Sequence, residues 1–240
     1  MIRVEICVET PQGIAAANAA GADRIELCAS LDVGGLTPSL GLMRCAARGE
    51  IPAMAMIRPR GGTFMFDHDE TAVMIDDIHA ARDAGLSGVV LGAMRPDGGL
   101  DRELLLRLSD HCAGMERTLH RVFDLVKDPF AELEFAIAAG FTRILTSGQQ
   151  PGAPEGEKCL ARLRRQAGER IVILAGSGIN AGNVRQLVSS TGVREVHASC
   201  RKPRSCSGND AFGFGSMPAE TDADAIRALL VAARNMAQGG

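Results

Sequence analysis

The chain has 240 residues, 46% of them hydrophobic, and a formal net charge of −3. That length lies near the ~250 residues typical of one eight-stranded α/β barrel, and the hydrophobic content can fill one large core. The slight acidity argues against general attachment to nucleic acid or a membrane surface, and the absence of Trp and Tyr removes the platforms on which bases and sugars stack.

Residues 1–8 already alternate like a strand and no long apolar run follows, so the start of the chain does not read as a signal peptide. The seven cysteines lack metal-finger spacing and are expected to be reduced thiols of a cytoplasmic protein. In chain order, strand 3–8 leads to helix 11–20, strand 24–29 to helix 38–48, and strand 52–58 to helix 69–84. Strand 88–94 precedes helix 101–113, 117–123 precedes 128–139, 143–148 precedes 156–167, and 171–177 precedes 180–190. The last strand, 195–200, is followed by a long Gly/Ser/Pro-rich loop over 201–219 and a final helix over 220–237. Asp101, Asp128 before Pro129, and Asn180 stand where helix caps are needed.

A phrase recurs through this alternation. Ala20-Gly21-Ala22-Asp23-Arg24-Ile25-Glu26-Leu27 is echoed by Ala84-Gly85-Leu86-Ser87-Gly88-Val89-Val90-Leu91, by Ala139-Gly140-Phe141-Thr142-Arg143-Ile144-Leu145, and more weakly by Thr191-Gly192-Val193-Arg194-Glu195-Val196-His197. Each copy reads as a helix closed by Gly, a turn, and a strand. Eight such units predict a single (β/α)8 barrel domain over 1–240, with an open doubly wound sheet as the structural rival.

The polar residues of the strands suggest a site. On the first two strands one face is aliphatic and the other carries Glu5, Cys7, Glu9 and Glu26, Cys28. In a parallel barrel the aliphatic face meets the helices, so the carboxylates and thiols are expected to point inward. An unpaired buried carboxylate costs several kcal/mol or takes up a proton, on the scale of about 2–7 kcal/mol for even a neutral polar group. At the C-terminal ends of the strands, where barrels carry their active sites, Arg58, His120 with Asp124 on the same face, and His197 with Ser199 join them. Glu26, Arg58, His120, Asp124 and His197 are the candidate catalytic set, suited to proton transfer. Glu26 and His120 would exchange protons, with Asp124 or a neighbour orienting His120. The competing reading is a salt-bridged plug in the bottom layer of the barrel, to which Glu5 could belong.

Arg58-Pro59-Arg60-Gly61-Gly62 reads either as an anion clamp or as a surface turn whose arginines pair with acids. Gly176, Gly178 and Asn180, between the seventh strand and its helix, form a candidate anion site together with Arg60. Cys7 and Cys28, expected at equivalent heights with Met56 nearby, could be soft ligands for Cu(I) or simply small buried residues. Cys200 and Cys206, among basic neighbours, read as the more reactive thiols. Cys45, Cys112 and Cys159 read as packing residues. Asp67-His68-Asp69-Glu70 reads as a solvated helix start, and His79 and His111 as helix-surface residues.

The motifs Gly21-Ala22-Asp23-Arg24-Ile25-Glu26-Leu27-Cys28, Gly34-Gly35-Leu36-Thr37-Pro38-Ser39 and Ile57-Arg58-Pro59-Arg60-Gly61-Gly62 resemble those of the CutC family. So do His120-Arg121-Val122-Phe123-Asp124 and Arg143-Ile144-Leu145-Thr146-Ser147-Gly148. The resemblance implies a cytoplasmic barrel, a homodimer or higher homo-oligomer, involved in copper homeostasis and binding Cu(I) through Cys7 and Cys28. Thr63, Phe66 and Ala198 stand where that pattern usually has Asp, Tyr and Ser. The alternative function is an isomerase or lyase acting on a small anionic or phosphorylated metabolite without a cofactor. The expected partners are therefore a copper ion or such a metabolite, with no nucleic acid and no membrane.

Overall fold

The structure, a computed structural model, describes residues 1–203 and 219–235. Eight parallel strands close into a barrel in chain order: β1 (Arg3–Val8), β2 (Arg24–Leu27), β3 (Ala53–Met56), β4 (Gly88–Leu91), β5 (Glu116–Leu119), β6 (Arg143–Thr146), β7 (Val172–Gly176) and β8 (Glu195–Ala198). Pairing of β1 with β8 completes the ring and excludes the open sheet. Outside the barrel run α1 (Pro11–Ala20), α2 (Leu40–Ala47), α3 (His68–Asp83), α4 (Arg102–Asp110), α5 (Pro129–Ala138), α6 (Glu157–Ala167), α7 (Val184–Thr191) and α8 (Ala223–Arg234). Among the described residues no helix is long and apolar enough to cross a membrane.

Local chemistry sets these boundaries. Asp101 and Asp128 cap α4 and α5 through backbone N–H groups, and Asp67 with Glu70 forms a reciprocal capping box at the start of α3. The cluster around His68 is thus a helix start, as expected. The glycines of the recurring phrase, Gly21, Gly85, Gly140 and Gly192, all hold left-handed backbone at helix ends, where a Cβ would be strained.

Several predicted elements have other bounds: the fourth strand stops at Leu91, the fourth helix stops at Asp110, and the last helix runs over Ala223–Arg234 because residues 220 and 221 form a strand. The fifth strand stops at Leu119, because His120 accepts the N–H of Val122 and turns the chain into a 3-10 segment over Arg121–Leu125. The seventh helix begins at Val184 and not at residue 180. Ser177 and Gly178 adopt left-handed backbone, and Asn180 accepts the N–H of Gly182 at 2.8 Å, so the chain makes a turn before the helix. Asn180 therefore does not cap α7; Asn183 occupies that position. After β8, β9 (Arg201–Lys202) pairs antiparallel with β10 (Glu220–Thr221), tying together the ends of the long loop. Cys206 lies outside the described residues.

The core has two parts. Outward aliphatic positions such as Ile6, Ile25, Val89, Ile144 and Val196 pack against the helices. Each fully buried aliphatic side chain of this kind contributes about 1.5–3 kcal/mol. Inside the barrel lies a smaller apolar cluster of Cys28, Met54, Met56 and Val90. Toward the N-terminal end the interior is ionic. Arg24 pairs with Glu5 and donates to Glu195 at 2.7 Å, while Arg143 donates to Glu195 at 3.2 Å and to Glu116 at 2.5 Å. The salt-bridged plug therefore exists, and Glu5 belongs to it.

Candidate functional site

Above the ionic layer, the C-terminal strand ends enclose a cavity of about 460 Å³. It is lined by Cys7 of β1, Glu26 of β2, Arg58, Phe64, His120, the turn Ser177–Asn180, and His197 with Ser199. Four of the five candidate catalytic residues, Glu26, Arg58, His120 and His197, thus meet in one space, and all four are buried.

At the floor, β1 sits between β2 and β8, with Cys7 opposite Glu26 and Glu5 opposite His197. His197 Nδ1 donates to Glu5 Oε1 at 2.8 Å, and its Nε2 lies 3.9 Å from Glu26 Oε2. Burial opposes a charged His197, but Glu26, Cys7 and Glu5 overcome it and push the imidazole well above its ordinary range. Burial, helped by the charge of Glu5, pushes the Glu26 carboxyl up. Glu26 Oε2 accepts from Cys28 Sγ at 3.6 Å, whereas its buried Oε1 has no partner among the described residues. Among the described residues, Cys7, Glu26 and His197 each place a ligand atom within 4.8 Å of the others.

The two barrel thiols are not equivalent. Cys7 pairs across the sheet with Glu26, so Cys28 stands two residues beyond it and not at the same height. Cys7 faces the cavity, while Cys28 packs into the inner methionine cluster. Burial and the neighbouring Glu26 push the Cys28 thiol well up, so it resists losing its proton.

On the other wall, His120 Nδ1 accepts the Val122 N–H at 3.1 Å and its Nε2 is buried without a partner. Burial and the charge of Arg58 push this imidazole down to about 3. Arg58 donates to the carbonyls of Val33, Gly35 and Gly62, and its guanidinium lies 4.7 Å from the centre of the Phe64 ring. Phe64, which the sequence analysis did not single out, also touches His120, with ring centres 4.9 Å apart. An aromatic residue just beyond a glycine-rich arginine turn was the available signal.

Several expected site residues do other work. Asp124 does not orient His120. The 3-10 turn carries it toward β6, where it accepts from Thr146, Ser147 and Gln149 and pairs with Arg121. Arg60 is the surface-turn case: it pairs with Glu70 and donates to the carbonyls of Thr63 and Met65, outside the cavity. Gly176 does not line the cavity; a Cβ there would come within 2.5 Å of Leu145, and His197 lies next to it. Gly178 and Asn180 do line it. Among the described residues, the N–H groups of Ser177 and Gly178 have no protein acceptor. The candidate anion site is therefore a backbone turn and not a helix N-terminus.

Cys200 departs from expectation as well: burial, Cys7 and Asp222 push its thiol up to about 11, outweighing nearby positive charge. His79 and His111 are not independent surface residues, since their ring nitrogens meet at 3.1 Å between α3 and the end of α4.

Comparison with known proteins agrees with this architecture. The sequence model described as the CutC family matches residues 2–202. A CutC family protein from Agrobacterium fabrum is 55% identical over 82% of this chain and 78% of its own. One from Sinorhizobium medicae is 48% identical over 95% and 94%. A solved structure of a CutC protein from Streptococcus agalactiae, named for copper homeostasis, is 33% identical, superposes with a TM-score of 0.79, and covers 82% of this chain and 98% of its own. Phosphoribosylanthranilate isomerase from Thermotoga maritima, at 16% identity and a TM-score of 0.60, shares the barrel alone.

Proposed function

This chain belongs to the CutC family, and from that premise we propose that it is an enzyme moving a proton on a small anionic metabolite held at the C-terminal end of the barrel. The chemistry is of the isomerase or lyase kind. One observation carries this reading: Glu26 lines the cavity, and among the described residues its buried Oε1 has no hydrogen-bond partner. A buried unpaired group of this kind costs free energy, and a substrate hydrogen opposite it would recover that cost. His197, held by Glu5, supplies positive charge beside it. Arg58 and the Ser177–Asn180 turn offer the complement for an anion, carboxylate or phosphate, on the remaining walls. Neither a nucleic acid nor a membrane is required, and the protein is expected to work in the cytoplasm as a homodimer or higher homo-oligomer.

The test is incubation of the protein with a cell metabolite extract in heavy water, read by mass spectrometry. Conversion of a metabolite, or deuterium uptake into one, by wild type and its loss in Glu26→Gln is the expected result. Turnover undiminished in a folded Glu26→Gln variant rejects the assignment.

A second reading, carried by the family's name, has the cavity floor take Cu(I) as cargo with Cys7 and Cys28 as ligands. Cys7, which faces the cavity, fits a soft ion. The charged imidazole of His197, the carboxylate of Glu26 and the protonated thiol of Cys28 fit it less well. An anaerobic Cu(I) competition titration on wild type, Cys7→Ser and Cys28→Ser separates the readings. Tight one-to-one binding lost in both variants supports copper handling through the thiol pair, and binding unchanged in both rejects it.

A further inference from the structure

The wall opposite Glu26 identifies the other half of the substrate. His120 is 3% exposed and Arg58 4% exposed, and among the described residues each keeps one buried nitrogen, His120 Nε2 and Arg58 Nε, without a partner. Val122 donates its N–H to His120 Nδ1, so that nitrogen holds a lone pair and the neutral ring carries its proton on Nε2. The ring cannot tilt to find another acceptor. Phe64 packs on one side, and on the other Gly92 comes so close that a Cβ would lie 2.5 Å from His120 Cε1. Arg58 is fixed as firmly, by its three carbonyl acceptors and by Phe64.

A buried donor left unpaired costs about 1–3 kcal/mol, so two of them in one wall are a preformed place for an acceptor atom. We propose that His120 is a fixed neutral hydrogen-bond donor and not a proton shuttle, and that with Arg58 it receives the carbonyl oxygen of a carbonyl-bearing substrate. This rests on reading the cavity as an active site. The balanced step follows from the two walls. The Glu26 carboxylate takes a proton from the carbon next to the carbonyl. The C–H electron pair becomes the C=C bond, and the C=O π pair moves onto oxygen. The resulting enolate oxygen accepts hydrogen bonds from His120 and Arg58 until Glu26 returns the proton to a neighbouring carbon. No oxidant or co-reactant is needed.

The experiment is nitrogen NMR on protein labelled with ¹⁵N-histidine, with His120 assigned from the spectrum of His120→Gln. Across about pH 5 to 8, the range in which an ordinary histidine titrates, wild-type His120 should remain neutral with its proton on Nε2. Pyruvate, used as a carbonyl probe, should shift the Nε2–H signal more than lactate, which has the same carboxylate but no ketone. A ring that becomes charged in this range, a proton on Nδ1, or a pyruvate shift no larger than that of lactate overturns the proposal. These results concern His120 alone. Failure of the reading of Glu26 shows separately, as turnover in the heavy-water assay that does not depend on that residue.

Discussion

Glu5 and His197, 192 residues apart in sequence, meet at 2.8 Å where β1 closes the barrel against β8. The other oxygen of Glu5 pairs with Arg24. One carboxylate therefore joins two layers: the ionic plug below and the cavity floor above. Glu26 and Cys7, together with this hydrogen bond to Glu5, keep the charge on His197, which burial alone would remove.

Glu5→Gln is expected to lower stability near neutral pH by about 3 kcal/mol, the lower end of the range for breaking a buried ion network. Burial works against the Glu5 carboxylate, but Arg24 and His197 hold it at about 2, below its ordinary 4.5. A group held low in this way stabilises the fold above pH 4.5 and loses that contribution as pH falls toward 2. The gap between wild type and Glu5→Gln should accordingly narrow on acidification. Urea unfolding at several pH values measures it.

Gly92→Ala should damage the His120 wall specifically. The added methyl would lie 2.5 Å from His120 Cε1 and 2.6 Å from Val122 Cγ1. Overpacking of this kind costs about 1–3 kcal/mol. The distinguishing result is displacement of the His120 Nε2–H signal in the ¹⁵N spectrum while the His197 signal keeps its position.

The two arginines of the glycine turn should separate cleanly. Arg58→Ala leaves the carbonyls of Val33, Gly35 and Gly62 without their donor and removes the cation over Phe64. Its expected cost is about 3 kcal/mol, together with loss of pyruvate binding. Arg60→Ala breaks a partly exposed pair outside the cavity, so pyruvate binding should persist and the thermal midpoint should fall less.

Asp124→Ala should destabilise the loop between β6 and α6 without altering the protonation of His120. It removes the acceptor for Thr146, Ser147 and Gln149, at a cost of about 3 kcal/mol. Hydrogen exchange should accelerate at Ser147 and Gln149, with the His120 signal unmoved. A change of tautomer at His120 would restore Asp124 to the orienting role its sequence spacing suggested.

The barrel was legible because its signal is local and repeated. Helix, glycine, turn and strand recur in order, and the alternation on Glu5-Ile6-Cys7-Val8 assigns inner and outer faces without reference to any other residue. Looking for the site at the C-terminal strand ends grouped Glu26, Arg58, His120 and His197, and these four line one cavity. Local spacing misled wherever a side chain ended an element early. His120 capped its own turn and sent Asp124 elsewhere, and Asn180 closed a turn ahead of the helix it was expected to begin.

The sequence by itself determined the eight units, the inward direction of the polar residues and the family resemblance, since each depends on periodicity and short motifs. Only the tertiary structure decided which charges satisfy one another. Arg24 and Arg143 neutralise the lower carboxylates, and Glu5 pairs with His197, while among the described residues Glu26 and His120 each keep one buried polar atom without a partner. That division depends on the register with which β1 closes against β8, a contact between the two ends of the barrel that no local pattern encodes.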